Sequence, residues 1–177
     1  MDRLIYTIGH STHPIDEFIR ILKTFGIEEV VDVRTIPKSR HNPQFNEEEL
    51  CDQLGNQGIE YVHLDKLGGL RHTTKESVNT AWKNASFRGF ADYMQTPEFT
   101  KGLEELIDLA QEKQVAIMCA EAVPWRCHRS LIGDALLARN ISVEDIFNEK
   151  SSKPHHLTPF ANVNGDKITY PGPPELI

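Results

Sequence analysis

The run Glu29-Val30-Val31-Asp32-Val33 is apolar and β-branched through its centre, which suits a strand buried on both faces. Such a strand belongs to a sheet that helices cover on both sides, and helical segments flank it. Upstream, Leu4 to Ile8 forms a short strand that Gly9-His10-Ser11-Thr12 breaks. Ile15, Phe18, Ile19, Leu22 and Phe25 then recur at helical spacing, with Ser11 or Thr12 as the cap, Asp16 and Glu17 in the first turn, and Gly26 as the stop. Downstream come a loop from Arg34 to Phe45, a short helix over Asn46–Leu54 and a strand over Ile59–Leu64. Helices cover parts of 75–95, and Thr96-Pro97 caps a longer one through Leu103, Leu106 and Ala110. Val115–Cys119 is a fourth strand, Cys127–Asn140 a helix and Val143–Phe147 a fifth strand.

This alternation predicts an α/β fold: a three-layer, Rossmann-like, mostly parallel sheet of about five strands joined by right-handed crossovers. The chain reads as one domain over 1–177, with a core over 1–150 and an extension over 151–177. In that extension Asn164-Gly165 stands between two short β-rich runs, a strong hairpin signal, and the hairpin is expected on the sheet's edge.

Composition narrows the class. The chain has 177 residues, and no run of about 18 apolar residues exists to span a membrane. Met1-Asp2-Arg3-Leu4 leads directly into a strand without a signal-peptide core, and three cysteines do not make a disulfide framework. A cytoplasmic location is therefore expected. The net charge of −7 argues against a protein that coats nucleic acid over its whole surface.

Reactive residues gather where a parallel sheet places its ligands, beyond the carboxyl ends of the strands. Strand one ends at His10-Ser11, strand two at Asp32-Val33-Arg34 with Lys38, Ser39 and Arg40 following, and strand three at His63. Strand four ends at Cys119-Ala120-Glu121, and the next helix opens at Cys127-His128-Arg129-Ser130. Residues 34–41 carry +3, 65–75 carry +2 and 119–130 carry +1, which leaves −13 on the rest of the chain. An acidic protein with a basic rim suits an anion. Ser11, Arg34, Ser39, Arg40 and Arg129 are the candidate anion ligands. Cys127, at a helix start among Arg126, His128 and Arg129, is expected to favour its thiolate, whereas Cys51 beside Leu50 and Leu54 reads as core. Asp32 is expected to hold Arg34, His63 to be a hydrogen-bonded core histidine and His155-His156 to be a solvated pair. Trp125 is expected either to stack on a ring or to pack under its loop.

These motifs together resemble the family called domain of unknown function 488. Tyr6-Thr-Ile-Gly-His-Ser11, Asp32-Val-Arg34 with Pro37 and Ser39, Gly58-Ile-Glu-Tyr-Val-His63 leading to Leu67-Gly-Gly69, and Cys119-Ala-Glu121 with Cys127-His-Arg129 carry the resemblance, which extends to the Leu157-Thr-Pro-Phe tail. It implies a soluble prokaryotic α/β protein and no established activity. Asp145 departs from the pattern, because relatives place a histidine there. A fainter likeness links Val30-Val-Asp-Val-Arg34, and Cys119 followed by Arg129-Ser130, to rhodaneses and cysteine phosphatases. Nine residues separate Cys119 from Arg129, too long a loop for that family's tight anion cradle, so its chemistry is not carried over.

The reading that follows is an enzyme acting on a phosphate-bearing, nucleotide or nucleic-acid substrate. Cys127 or Cys119 is the nucleophile or redox thiol, His128 or His10 its acid–base partner, and Glu121 orients that partner. One alternative is a non-catalytic nucleotide- or nucleic-acid-binding module on the same rim. The other is a metal-dependent site on Cys119, Glu121, Cys127 and His128. Substrate, reaction, cofactor and oligomeric state stay open.

Overall fold

The hydrophobic pattern resolves into alternating strands and helices in the computed structural model, which describes residues 3–173. In chain order they are β1 (Leu4–Gly9), α1 (Ile15–Thr24), β2 (Glu29–Asp32), α2 (Glu47–Asn56), β3 (Glu60–His63), α3 (Ala85–Tyr93) and α4 (Pro97–Glu112). Then follow β4 (Val115–Cys119), α5 (Arg129–Ala138), β5 (Ser142–Asn148), β6 (Ser151–Pro154), β7 (Asn162–Asn164) and β8 (Lys167–Thr169). The main sheet runs β3-β2-β4-β1-β5-β6, with β1 to β5 parallel and β6 antiparallel to β5. No described helix is long and apolar enough to cross a membrane.

Alternate residues of the parallel strands feed two cores. Val31, Val33, Val115, Ile117 and Val143 pack with Phe90, Leu103, Leu106, Leu131 and Ile132 of α3, α4 and α5. Ile8, Val30, Ala116, Met118 and Ile146 pack on the other face with Phe18, Leu22, Leu50 and Leu54 of α1 and α2. Three layers result, because strands buried on both sides need apolar cover on both sides.

Local chemistry sets several boundaries. Thr96 Oγ1 accepts from the Phe99 amide, and Pro97 opens α4 as expected. The cap expected from Ser11 or Thr12 is not used. The Ser11 amide is taken by the Ala120 carbonyl at 3.0 Å, its φ is +48°, and α1 starts behind Pro14, whose ring fixes φ near the helical value.

The sheet has one strand more than the sequence pattern gave. Ser-Ser-Lys-Pro in β6 shows no apolar alternation, since this edge strand buries neither face deeply. The β7–β8 hairpin turns at Gly165 with φ +63°, but β6 already occupies the sheet's edge. The hairpin lies instead on the helical layer: Ile168 and Tyr170 join the core that holds α5, and Gln95 Nε2 donates to the Ile168 carbonyl at 2.6 Å.

Candidate active site

β1 and β4 are neighbours, and Gly9 pairs in register with Cys119 at their carboxyl ends. The chain leaves β1 for α1 on one face and leaves β4 for α5 on the other. Two such diverging connections open a crevice, the usual ligand position in a doubly wound sheet. Here the loop after β4 crosses directly over β1. A side chain at Gly9 would place its Cβ 1.6 Å from the Glu121 carbonyl oxygen, so only glycine lets the two segments approach.

A cleft of about 560 Å³ opens at these strand ends. Cys119, Cys127 and His128 line it, joined by the cations Arg34, Lys38 and Arg126. Ile36, Leu70 and Trp125 flank it as exposed apolar side chains, Trp125 being 64% exposed.

One fully buried side chain organises the thiols. Arg129 Nε donates to Cys119 Sγ at 3.1 Å, and its backbone amide donates to Cys127 Sγ at 3.5 Å. Its remaining donors go to Thr7 Oγ1 at 2.6 Å and to the Glu121 and Ala122 carbonyls at 3.2 Å each. Burial opposes a charge on Cys119, yet the neighbouring Cys127, the Arg129 guanidinium and the Glu121 backbone lower its pKa below the ordinary thiol value. Cys127 moves the other way, as burial and the neighbouring Cys119 push its thiol well up. That direction runs against the thiolate preference expected of Cys127. α5 begins at Arg129 rather than at Cys127, which stays extended behind a short 3₁₀ turn over Pro124–Arg126, so Cys127 lies outside the helix.

His128 Nε2 lies 2.8 Å from the Val33 carbonyl and 3.0 Å from that of Leu67. Two carbonyl partners place the ring proton on Nε2, leaving Nδ1 as an acceptor 3.5 Å from Cys127 Sγ. Burial lowers the His128 pKa to about 4, so the ring is neutral near pH 7. Gly69 makes room for it: a Cβ there would fall 2.6 Å from His128 Nδ1.

The remaining sequence candidates separate into two groups. Arg34 lines the cleft but is paired with the buried Asp32 through Nε at 2.9 Å and Nη2 at 2.7 Å. The expected grip of Asp32 on Arg34 is thus present, and Tyr61 Oη donates to the same carboxylate at 2.5 Å. Glu121 lies exposed on the cleft, where its carbonyl serves Arg129. His10, Ser11, Ser39, Arg40 and Arg129 lie outside the cleft lining. His10 stacks on Phe45 with centroids 4.2 Å apart, bonds the Ser11 carbonyl at 2.8 Å, and is lowered to about 4 by burial. Ser39 Oγ accepts the Asn42 amide within its own loop, and Arg40 is exposed. His63 Nε2 reaches the Arg34 carbonyl at 2.6 Å.

Two further expectations are overturned. Cys51 is exposed, because on α2 it is turned about 100° from the Leu50–Leu54 stripe that faces the core. His155 is not solvated: its side chain is 6% exposed and bridges Asp145 at 2.9 Å and Asp134 at 3.0 Å. Those partners belong to a buried polar chain that the sequence reading missed. Thr7 Oγ1, which accepts from Arg129, donates to Asp145 Oδ1 at 2.5 Å. Asp145 then meets His155, His155 meets Asp134, and Asp134 accepts from Thr158 at 2.7 Å and from Tyr170 Oη at 2.8 Å. The one advance signal was Asp134 itself, an acid on the apolar stripe of Leu131, Ile132, Ala135 and Leu136.

Among the described residues, no three His, Cys, Asp or Glu side chains are placed to hold a metal ion. The Nε2 of His128 is taken by two carbonyls.

A family model described as "Domain of unknown function DUF488" matches residues 14–136, most of the chain. No curated protein and no solved structure matches it at a significant level.

Proposed function

Because the chain belongs to the DUF488 family, whose description names no reaction, we propose from the site itself that it is a thiol-dependent enzyme acting on a small anionic substrate, with Cys119 as the nucleophile. The observation that carries this is the 3.1 Å bond from Arg129 Nε to Cys119 Sγ beside an open cleft. A buried thiol kept only for packing has no need of a guanidinium. A nucleophilic thiol does, because the thiolate is the reactive form.

The cleft walls suit a phosphate-bearing molecule with a ring. Lys38 and Arg126 are exposed cations on the lining, available to a phosphate or carboxylate, and Arg34 adds to the positive field from behind. A volume near 560 Å³ accommodates a nucleotide-sized ligand. The exposed Trp125 ring offers a face on which a base can stack. Arg129, an expected anion ligand, serves as the partner of the nucleophile instead. His128 Nδ1 relays the Cys127 proton. A reducing cytoplasm keeps these thiols in working form, and the reading takes that as the compartment.

The test compares alkylation of Cys119 by iodoacetate, which is anionic, with alkylation by neutral iodoacetamide, mapped by peptide. The expected result is a preference for iodoacetate relative to a free thiol, abolished in Lys38→Ala/Arg126→Ala and competed by inorganic phosphate or a nucleoside monophosphate. Equal reactivity toward both reagents, or labelling of Cys119 only after denaturation, overturns the proposal.

A further inference from the structure

Cys119 and Cys127 form a thiol pair of unequal character. Both sulfurs bond to donors of one residue, Arg129 Nε and the Arg129 amide. Both side chains line the same cleft, so a small reagent that reaches one meets the other. Seven residues lie between them, and within that stretch Glu121, Ala122, Trp125 and Arg126 are exposed. A surface loop can adjust while the strand end and α5 stay in place.

Resting on the assignment of Cys119 as the nucleophile, we propose that Cys127 is its resolving thiol, and that the pair closes reversibly to a disulfide when the site meets a hydroperoxide. The Cys119 thiolate attacks the distal peroxide oxygen; an S–O bond forms, the O–O bond breaks, and hydroxide or an alkoxide departs. Cys119 is now a sulfenic acid. The Cys127 sulfur attacks the Cys119 sulfur, forming the S–S bond and breaking the S–O bond. The expelled hydroxide takes the Cys127 proton, directly or through His128 Nδ1, and leaves as water. The pair gives up two electrons, and the peroxide is reduced to water or an alcohol plus water. Two equivalents of a small thiol restore the dithiol and become a disulfide themselves.

The two thiols divide the roles as this chemistry needs. The attacking sulfur is the one paired with Arg129, and the resolving sulfur stays protonated until an electrophilic sulfur appears beside it. The consequence is protective and regulatory. The disulfide removes the nucleophile from action and shields it from irreversible over-oxidation.

The experiment treats the reduced full chain, in a Cys51→Ser background, with hydrogen peroxide near pH 7 and follows intact mass. The expected product has lost two hydrogens, maps to a Cys119–Cys127 cross-link and returns to the starting mass with dithiothreitol. Cys127→Ser in the same background is expected to accumulate a sulfenic acid that dimedone traps, followed by a gain of further oxygen. The disulfide in the unsubstituted pair is read without that variant, so a folding defect in Cys127→Ser leaves the main result standing. If Cys119 reacts with peroxide but its sulfenic acid persists without a cross-link, the resolving role is overturned and the nucleophile remains. If Cys119 reacts with neither peroxide nor iodoacetate, both fall.

Discussion

Arg129 and Cys119 meet side chain to side chain, Nε to Sγ at 3.1 Å, although nine residues separate them and one ends a strand while the other starts a helix. The guanidinium lies fully buried beside the sulfur rather than in the cleft, and its other nitrogens are spent on Thr7 and on the loop carbonyls of Glu121 and Ala122. A cation fixed in that way acts on the thiol and stays out of the cleft.

The three cysteines are therefore expected to alkylate in the order Cys51, Cys119, Cys127. Cys51 is exposed and should react first. Cys119 should show its inflection at lower pH than an ordinary thiol, limited in rate by burial. Cys127 should stay protected until high pH or denaturant. Iodoacetamide labelling across pH with peptide mapping reads all three, and Cys127 labelling ahead of Cys119 contradicts the arrangement.

His155 gives stability an alkaline limb. Burial opposes its charge, but hydrogen bonds to Asp134 and Asp145 outweigh that and raise its pKa to about 9. The folded value exceeds the unfolded one of about 6.5, so this contribution is full below about pH 6.5 and is lost as pH rises through about 9. The difference corresponds to about 3 kcal/mol. Urea melts at pH 6.5 and 9.5 should show the loss in the wild-type chain and little of it in His155→Gln, which starts less stable. An unchanged alkaline slope in the variant would place the titrating group elsewhere.

Gly69 and Gly55 should respond oppositely to alanine. At Gly69 a Cβ falls 2.6 Å from the His128 ring, which two carbonyls and Phe90 hold in place, so Gly69→Ala should cost about 1–3 kcal/mol. Gly55 lies on α2 with nothing within 4 Å of an added Cβ, and Gly55→Ala should stabilise by about 0.5–1 kcal/mol. Thermal melts of the two variants check the signs.

The layered sheet was legible because its signals are local: consecutive β-branched residues in β2, helical spacing in α1, Thr96-Pro97 before α4 and Asn164-Gly165 in the hairpin. The location of the cleft was legible too, since parallel strands bring His10, Arg34 and Cys119 to one rim whatever their partners. What the side chains do there was not. Arg129 read as a surface cation until the fold places Thr7 against it, whereas the grip of Asp32 on Arg34 is local and was expected. Cys127 lacks the helix-terminal position expected of it because α5 starts two residues later than the pattern suggests. His155 looked solvated because both of its acids lie more than nine residues away in sequence, on α5 and β5. Those pairings depend on tertiary placement, and composition does not record them.

The central position of β1 also governs how the molecule comes together. It pairs only with β4 and β5, whose residues begin more than a hundred positions further along the chain. During synthesis Leu4–Gly9 therefore waits with its ladder unformed until the second half has emerged, since every partner it has is distant in sequence. Gly9 and Cys119 come into register only at that late closure, when Thr7 also reaches Arg129. An incomplete chain thus carries the first strand without its ladder, and the crevice between β1 and β4 forms only with the finished sheet.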